Sequence, residues 1–228
     1  MNWLGYNGFQ ALCREGRFCS LNLRIVSYII GRPGSGKDTQ GGRLARCPGI
    51  DAVFLDAGSI FRSLARGADP EFEKNKNKMD GGDLLPDWYV NKVMWERISA
   101  CRNRPIFLSG YPRTISQLEE FESEFQKGVG FFFDTEECEC ARRIILRSGT
   151  SGRKEDSSEE IIRHRMLQYD QATIPVLEAL RASDRLVRIN GMGQEDEVAR
   201  RFAVAFGARF PRHREAAIAS LGALIMQI

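Results

Sequence analysis

Gly31-Arg32-Pro33-Gly34-Ser35-Gly36-Lys37-Asp38-Thr39-Gln40 is the stretch that decides the reading of this chain. Residues 24–30 before it, largely β-branched and aromatic, predict a buried strand. Residues 37–46 after it predict a helix, ended by Pro48 and Gly49. A strand, a glycine-rich turn and a helix, in that order, form the setting that a phosphate-binding loop requires. Glycines let backbone N–H groups converge on an anion without Cβ atoms in the way. The helix start turns its positive end toward the same anion. Gly34, Ser35, Gly36, Lys37, Asp38 and Thr39 are therefore the expected phosphate binders, with Lys37 as the mobile cation for the outer phosphates. The common pattern places Ser or Thr directly after the lysine; here Asp38 stands there and Thr39 follows.

Outward from the loop, short apolar strands are expected at 51–55, 105–108, 129–133 and 186–189. Helices are expected at 58–67, 70–79, 86–102, 116–127, 136–147, 159–169, 174–182 and 195–206, with Gly128 capping one of them and a break near Pro175. Strands that alternate with helices imply an α/β fold: a five-stranded parallel sheet flanked by helices. Residues 148–158 read as a polar loop of Ser, Gly and charge. Beyond Pro211, a helical stripe of Ile218, Leu221, Leu224, Ile225 and Ile228 predicts a helix docked on the body, in preference to a membrane or partner anchor.

The 228 residues suffice for one such domain with insertions, and a net charge of +3 is too balanced for a general nucleic-acid binder. No apolar run reaches the roughly 20 residues of a membrane helix. Residues 1–23 read as a loosely ordered extension, since Gly5, Asn7, Gly8 and Gln10 interrupt any signal-peptide core. The six cysteines form no C-x-x-C pair, which fits reduced thiols in a cytoplasmic protein better than zinc or disulfides.

From about residue 24 to residue 206 the chain resembles the adenylate kinase family of nucleoside monophosphate kinases, in its short-lid form. The loop matches that family's Gly-Lys-Gly-Thr-Gln variant apart from Asp38. Asp56-Ala57-Gly58-Ser59-Ile60-Phe61-Arg62 and Met79-Asp80-Gly81-Gly82-Asp83-Leu84-Leu85-Pro86-Asp87 resemble its acceptor-binding segments. Gly110-Tyr111-Pro112-Arg113-Thr114, with Gln117 following, resembles another of its signatures. Arg143, Arg147, Ser151-Gly152-Arg153, Arg165, Tyr169 and Thr173-x-Pro175 resemble the lid region, with one residue inserted between Arg153 and Arg165.

The resemblance implies a phosphate-loop kinase with an acceptor-binding insertion at about 56–86, a lid at about 148–158, a kinase domain over 24–207 and a tail helix over 208–228. It implies ATP and Mg²⁺ as donor and cofactor, AMP or another nucleoside monophosphate as acceptor, and a monomer. Lys37, Arg113, Arg147, Arg153 and Arg165 would surround the transferring group. Ala57, Arg62, Leu85, Gly110, Arg113 and Gln117 would hold the acceptor, Gln117 through the edge of its base. This set of cations suits the reaction, because phosphoryl transfer rests on positioning and on stabilising spread negative charge. The acceptor phosphate needs no strong base, its second pKa being about 6.

Three departures bear on this reading. Ser109 stands where the family places an acid near Mg²⁺. Asp38 brings a carboxylate to the phosphates and is the one candidate metal residue. Ala57 resembles the UMP/CMP kinases, whereas Gln117 and Thr114 favour adenine. A UMP/CMP kinase and a degenerate ATP-binding regulator remain as alternatives to an AMP kinase; the 110–117 signature argues against a kinase of an unrelated small acceptor. Arg143 and Arg163 read equally well as members of a solvated basic face, paired with Glu155, Asp156, Glu159 and Glu160.

Overall fold

The computed structural model describes residues 25–67, 70–101, 104–151, 153, 156 and 158–225. The expected extension at 1–23 lies outside them, as do Gly152 and Ile228. The described residues contain a five-stranded, all-parallel sheet in the order β2-β3-β1-β4-β5. Its strands are β1 (Val26–Ile30), β2 (Val53–Asp56), β3 (Ile106–Ser109), β4 (Val129–Asp134) and β5 (Leu186–Asn190). Each lies within a residue or two of its predicted position. Runs such as Val-Ser-Tyr-Ile-Ile are buried along their whole length, as strands covered on both faces must be.

Alternation along the strands divides the core. Tyr28, Ile30, Ile106 and Leu108 face one layer, and Ile29, Phe107, Phe131 and Phe133 the other. The first layer is covered by α2 (Ala57–Arg66), α5 (Asp87–Ser99), α6 (Ile115–Glu124) and α9 (Ile174–Ala182). The second is covered by α1 (Lys37–Ala45), α10 (Glu195–Arg209) and α11 (Arg214–Ile225). Phe131, Phe202 and Phe206 form an aromatic cluster in this layer, with Phe202 packed edge-on to both others. Burying each such ring contributes about 1.5–3 kcal/mol. The remaining helices are α3 (Pro70–Glu73), α4 (Lys76–Asp80), α7 (Glu137–Ser151) and α8 (Glu159–Gln168).

Several boundaries differ from the sequence reading, each for a local reason. The predicted helix at 70–79 is two short pieces, α3 and α4, separated by a turn at Lys74 and Asn75. Helix α6 stops at Glu124, and Gly128 does not cap it. Gly128 instead lies against the Tyr28 ring, where a Cβ would approach Tyr28 Cζ at 2.6 Å. Pro175 does not divide two helices: a π-turn, Tyr169–Thr173, carries α8 into α9, and Pro175 sits in the first turn of α9, where no N–H is needed. Helix α7 runs on to Ser151, so the first four residues of the expected polar loop are helical.

Helix α11 docks on the body, but through Ala216 and Ala217 and not through Ile218 of the predicted stripe, which is exposed. It packs along α10, with Ala217 fully buried and Ala216 against Gly49. No helix among the described residues is long and apolar enough to cross a membrane.

Candidate active site

All five strands point their carboxyl ends at one crevice. The crevice opens beside β1, where the chain first passes to one edge of the sheet and later to the other. An open α/β sheet offers its ligand site at such a point. Loops after β1, β2, β3 and β5, together with the lid-side helices, furnish its walls.

The loop after β1 has the geometry that its glycines predict. Gly34 and Gly36 adopt φ of 84° and 82°, a region that residues bearing a Cβ rarely enter. A Cβ on Gly34 would also approach the Cys140 carbonyl oxygen at 2.3 Å. Helix α1 follows at once, with Gly36 as its N-cap. Gln40 anchors the helix to α10 by donating to the Glu195 carbonyl at 2.8 Å. The Ser35 hydroxyl is buried without a protein partner. Thr39 is exposed beside the loop.

One lobe of the crevice, about 810 Å³, is lined by Lys37, Asp38, Arg113, Arg147, Arg153 and Arg165 among others. The five expected transfer residues therefore lie around a single space. A neighbouring lobe of about 630 Å³ is lined by Ala57, Arg62, Leu85, Gly110, Arg113 and Gln117, the whole expected acceptor set. Arg62, Arg113 and Arg165 line both lobes.

Arg113 sits at the junction. Its Nε donates to the Gly110 carbonyl at 3.0 Å, and it makes no ion pair among the described residues. Burial, followed by the nearby Arg165, lowers its pKa, opposed by Asp56 and Asp38. Such a guanidinium is an anion site in want of an anion. Arg62 reaches Asp56 at 3.5 Å and Ser59 Oγ at 3.1 Å. The Gln117 amide is engaged within the protein. Its Oε1 accepts from the Arg113 N–H at 2.8 Å, and its Nε2 donates to Asp87 at 2.7 Å. Gln117 thus fixes the Arg113 backbone as well as lining the second lobe.

Arg147, Asp156 and Arg165 close one wall of the crevice electrostatically. Asp156, whose side chain has no exposed surface, accepts two hydrogen bonds from Arg147, at 2.8 and 3.0 Å, and one from Arg165, at 2.6 Å. Burial by itself would raise the Asp156 pKa, but Arg147 and then Arg165 outweigh it and hold the carboxyl below its ordinary value. The sequence reading treated Asp156 only as a partner for a solvated basic face. It is an internal clasp instead, and nothing local in the sequence separates it from Glu155 or Glu159.

Arg143, undecided from sequence, is part of the crevice. It donates to the Ser35 and Gly191 carbonyls, both at 3.3 Å, and to Glu139 at 2.7 Å. Glu139, bonded by both Arg142 and Arg143, is lowered to about 2. Arg163 is exposed and lines neither lobe. The loop Gly191–Gln194 after β5, which borders the crevice beside Arg143, also escaped the sequence reading. Its one signal is a glycine pair, Gly191 and Gly193, at a strand end.

Asp38 is the carboxylate nearest the phosphate loop. Ser109 Oγ donates to its Oδ1, and Lys37 Nζ lies 3.2 Å from its Oδ2. Burial would raise its pKa; Lys37, the Ser109 hydroxyl and Arg113 together lower it below the usual carboxylate value. The group is an ionised oxygen donor at the loop, of the hard kind that Mg²⁺ takes. No group of three or more His, Cys, Asp or Glu side chains among the described residues is placed to hold a metal by itself. An ion here would share its ligands with a nucleotide.

Comparison with known proteins gives a consistent picture. The profile of the adenylate kinase family matches residues 29–185. The chain is 33% identical over 183 residues to a protein named adenylate kinase from Kocuria rhizophila, covering 78% of this chain and 96% of that one. It is 34% identical over 186 residues to an adenylate kinase from Pseudarthrobacter chlorophenolicus, covering 79% and 95%. It is 30% identical over 177 residues to adenylate kinase isoenzyme 1 of Caenorhabditis elegans, covering 76% and 83%.

Proposed function

Because the chain belongs to the adenylate kinase family of phosphotransferases, we propose that it transfers the γ-phosphoryl group of ATP, taken as its magnesium complex, to AMP, giving two ADP. The observation that carries the reading is Arg113. It is a partly buried cation at the junction of two lobes, without an ion-pair partner among the described residues and flanked by Arg62 and Arg165. A site that concentrates positive charge between two spaces suits two phosphate chains meeting end to end.

In this reading the backbone of Gly34–Thr39 cradles the donor phosphates, and Lys37 follows the outer ones. Arg143 and the loop 191–194 border the rest of the donor. Arg62 and Arg113 grip the acceptor phosphate, with Ala57, Leu85, Gly110 and Gln117 around its nucleoside. An acceptor phosphate oxygen forms a bond to the γ-phosphorus. The bond from that phosphorus to the β–γ bridging oxygen breaks, and its electron pair leaves on ADP. Arg147, Arg153 and Arg165 stabilise the charge on the group in flight, and the lid residues exclude water. Magnesium, when bound, supplies charge neutralisation at the donor phosphates, and Asp38 is the residue that would hold it.

Phosphorylation of AMP, CMP, UMP, GMP and dTMP in MgATP tests this directly. A preference for AMP in kcat/KM is expected. A preference for CMP or UMP would overturn the AMP assignment and make Ala57, which lines the acceptor lobe, the deciding residue. Binding of ATP without transfer to any acceptor would make the protein a nucleotide-binding regulator.

A further inference from the structure

Two positions of the donor site depart together from the family pattern. There Gly follows the lysine and an acid stands at the end of the strand before the Gly110 turn; in phosphate-loop proteins generally an aspartate in the site serves the metal. Here the residue after Lys37 is the carboxylate, Asp38, and the residue that meets it from the end of β3 is a hydroxyl, Ser109. The two side chains touch: Ser109 Oγ donates to Asp38 Oδ1. Ser109 is fully buried, whereas the Asp38 side chain keeps 38% of its surface open. One carboxylate oxygen is thereby fixed by the core. The other lies against Lys37 Nζ, at the wall of the cleft where phosphates are expected.

Resting on the donor-site reading above, we propose that Asp38, held by Ser109, is the metal-anchoring carboxylate of this chain, moved from a strand end to the helix start, and that it makes ATP binding conditional on a divalent cation. ATP alone would set its phosphates beside a fixed anion that also occupies Lys37. Like charges a few ångströms apart in a partly enclosed site lower affinity by about tenfold or more. With the cation on the phosphates, Asp38 turns from a repulsive neighbour into a ligand, and Lys37 is released to the outer phosphates. The competing explanation is structural: an acid in the first turn of a helix favours the helix dipole and would hold Ser109 with or without a metal.

Calorimetric binding of ATP to the full chain, once in Mg²⁺ and once in excess EDTA, separates the two. The wild type is expected to bind about tenfold or more tightly with Mg²⁺. Asp38→Asn and Asp38→Gly are expected to close that gap from both sides, gaining affinity for metal-free ATP and losing affinity for MgATP; a merely structural acid would give the gain by relief of repulsion but not the loss. In the pair Asp38→Gly with Ser109→Asp, which returns the carboxylate to the strand, the gap should reopen. Free Mn²⁺ followed by electron paramagnetic resonance, in the presence of ATP and protein, should show weaker uptake by Asp38→Asn. Thermal unfolding identifies any variant that fails to fold, and the wild-type comparison needs no variant. Equal wild-type affinities with and without Mg²⁺, or an unchanged gap in Asp38→Asn, would overturn the inference and leave the donor site standing. Absence of ATP binding in both conditions would overturn the donor site itself, and the inference with it.

Discussion

Arg113 and the pair Arg147 and Arg165 are all guanidinium groups around one cleft, yet the protein treats them in opposite ways. Arg113 makes no ion pair among the described residues and holds only the carbonyl of Gly110 with its side chain. Arg147 and Arg165 converge on Asp156. Arg113 thus carries a charge without an ion-pair partner among the described residues, at a cost to stability, and is preorganised for an anion. Arg147 and Arg165 are satisfied by Asp156, and in the proposed reaction they would exchange it for phosphate oxygens. A binding residue that waits and one that is clasped predict different consequences of substitution.

Arg113→Met is the harshest test of the contrast. It removes the charge and keeps much of the volume. Loss of a preorganised group aimed at developing charge costs about 10²- to 10³-fold in turnover, and kcat/KM for transfer should fall at least that far. The melting temperature should hold or rise, because an enclosed charge without an ion-pair partner is removed. A Tm that drops by many degrees together with activity would break the contrast, since Arg113 would then be supporting the fold.

Asp156→Asn should behave in the opposite manner. Breaking a buried pair is strongly destabilising, but the partners Arg147 and Arg165 remain 30% and 16% exposed and can recover some hydration. A loss of about 2 kcal/mol follows, or roughly 4–8 °C in Tm for a chain of this size. Affinity for ATP should not weaken, because the arginines lose a competitor rather than a partner. A substantial weakening, read by calorimetry, would mean that Asp156 orients the arginines toward the donor and does not compete with it.

The pH dependence sharpens the same point. The folded-state pKa of Asp156 is depressed, so its contribution is fully present above the ordinary carboxylate pKa of about 3.9. The contribution is lost as pH falls through the lower folded-state value. Wild type and Asp156→Asn should therefore differ in Tm by a constant amount from neutral pH down to about pH 5, and the two curves should converge below about pH 4. Parallel curves throughout would show that hydrogen-bond geometry, rather than charge, holds the clasp.

What the sequence made legible, and what it hid, follows the distance between partners. The phosphate loop is local: its glycines, its lysine and the strand and helix on either side lie within residues 26–45, and it made the fold class legible. The central strands β1 and β3 were legible because full burial demands apolar runs, and the others because short apolar runs alternate with helices. The sheet order was not, since nothing in β4 states that its neighbours are β1 and β5. The role of Arg143 was hidden because two of its partners are distant backbone atoms, and that of Asp156 because several acids stand at comparable sequence distances from the same arginines. Arg143 meets the carbonyls of Ser35 and Gly191, 108 and 48 residues away. Arg32 pairs with Asp170 across 138 residues at 2.7 Å and lies over the Tyr169 ring, tying the loop to the turn after α8 with no sign in either segment. The start of the polar loop was misread for another reason. Ser148 and Gly149 are poor helix formers, but α7 continues through them, with Ser148 Oγ bonded to the Ile145 carbonyl.

The smallest expected effect asks whether the floor of the donor side is as rigid as its loop geometry requires. Cys138 and Cys140 are two residues apart in the first turns of α7, one exposed and the other fully buried. The Cys140 carbonyl closes against Gly34, and its thiol donates to the Thr135 carbonyl at 3.8 Å. Burial raises the Cys140 thiol to about 11, so at pH 8 about one molecule in a thousand carries the reactive thiolate. Alkylation at pH 8, read peptide by peptide in a mass spectrometer, should modify Cys138 at least about 100-fold faster than Cys140. Saturation with MgATP should leave the Cys138 rate nearly unchanged and slow Cys140 further, because a ligand on the loop opposes any opening of α7 beneath it. Comparable rates at the two thiols would mean that the helix start opens readily. The loop would then lack the rigid support that a preorganised phosphate site demands, and the division between a waiting acceptor side and a settled donor side would have to be redrawn.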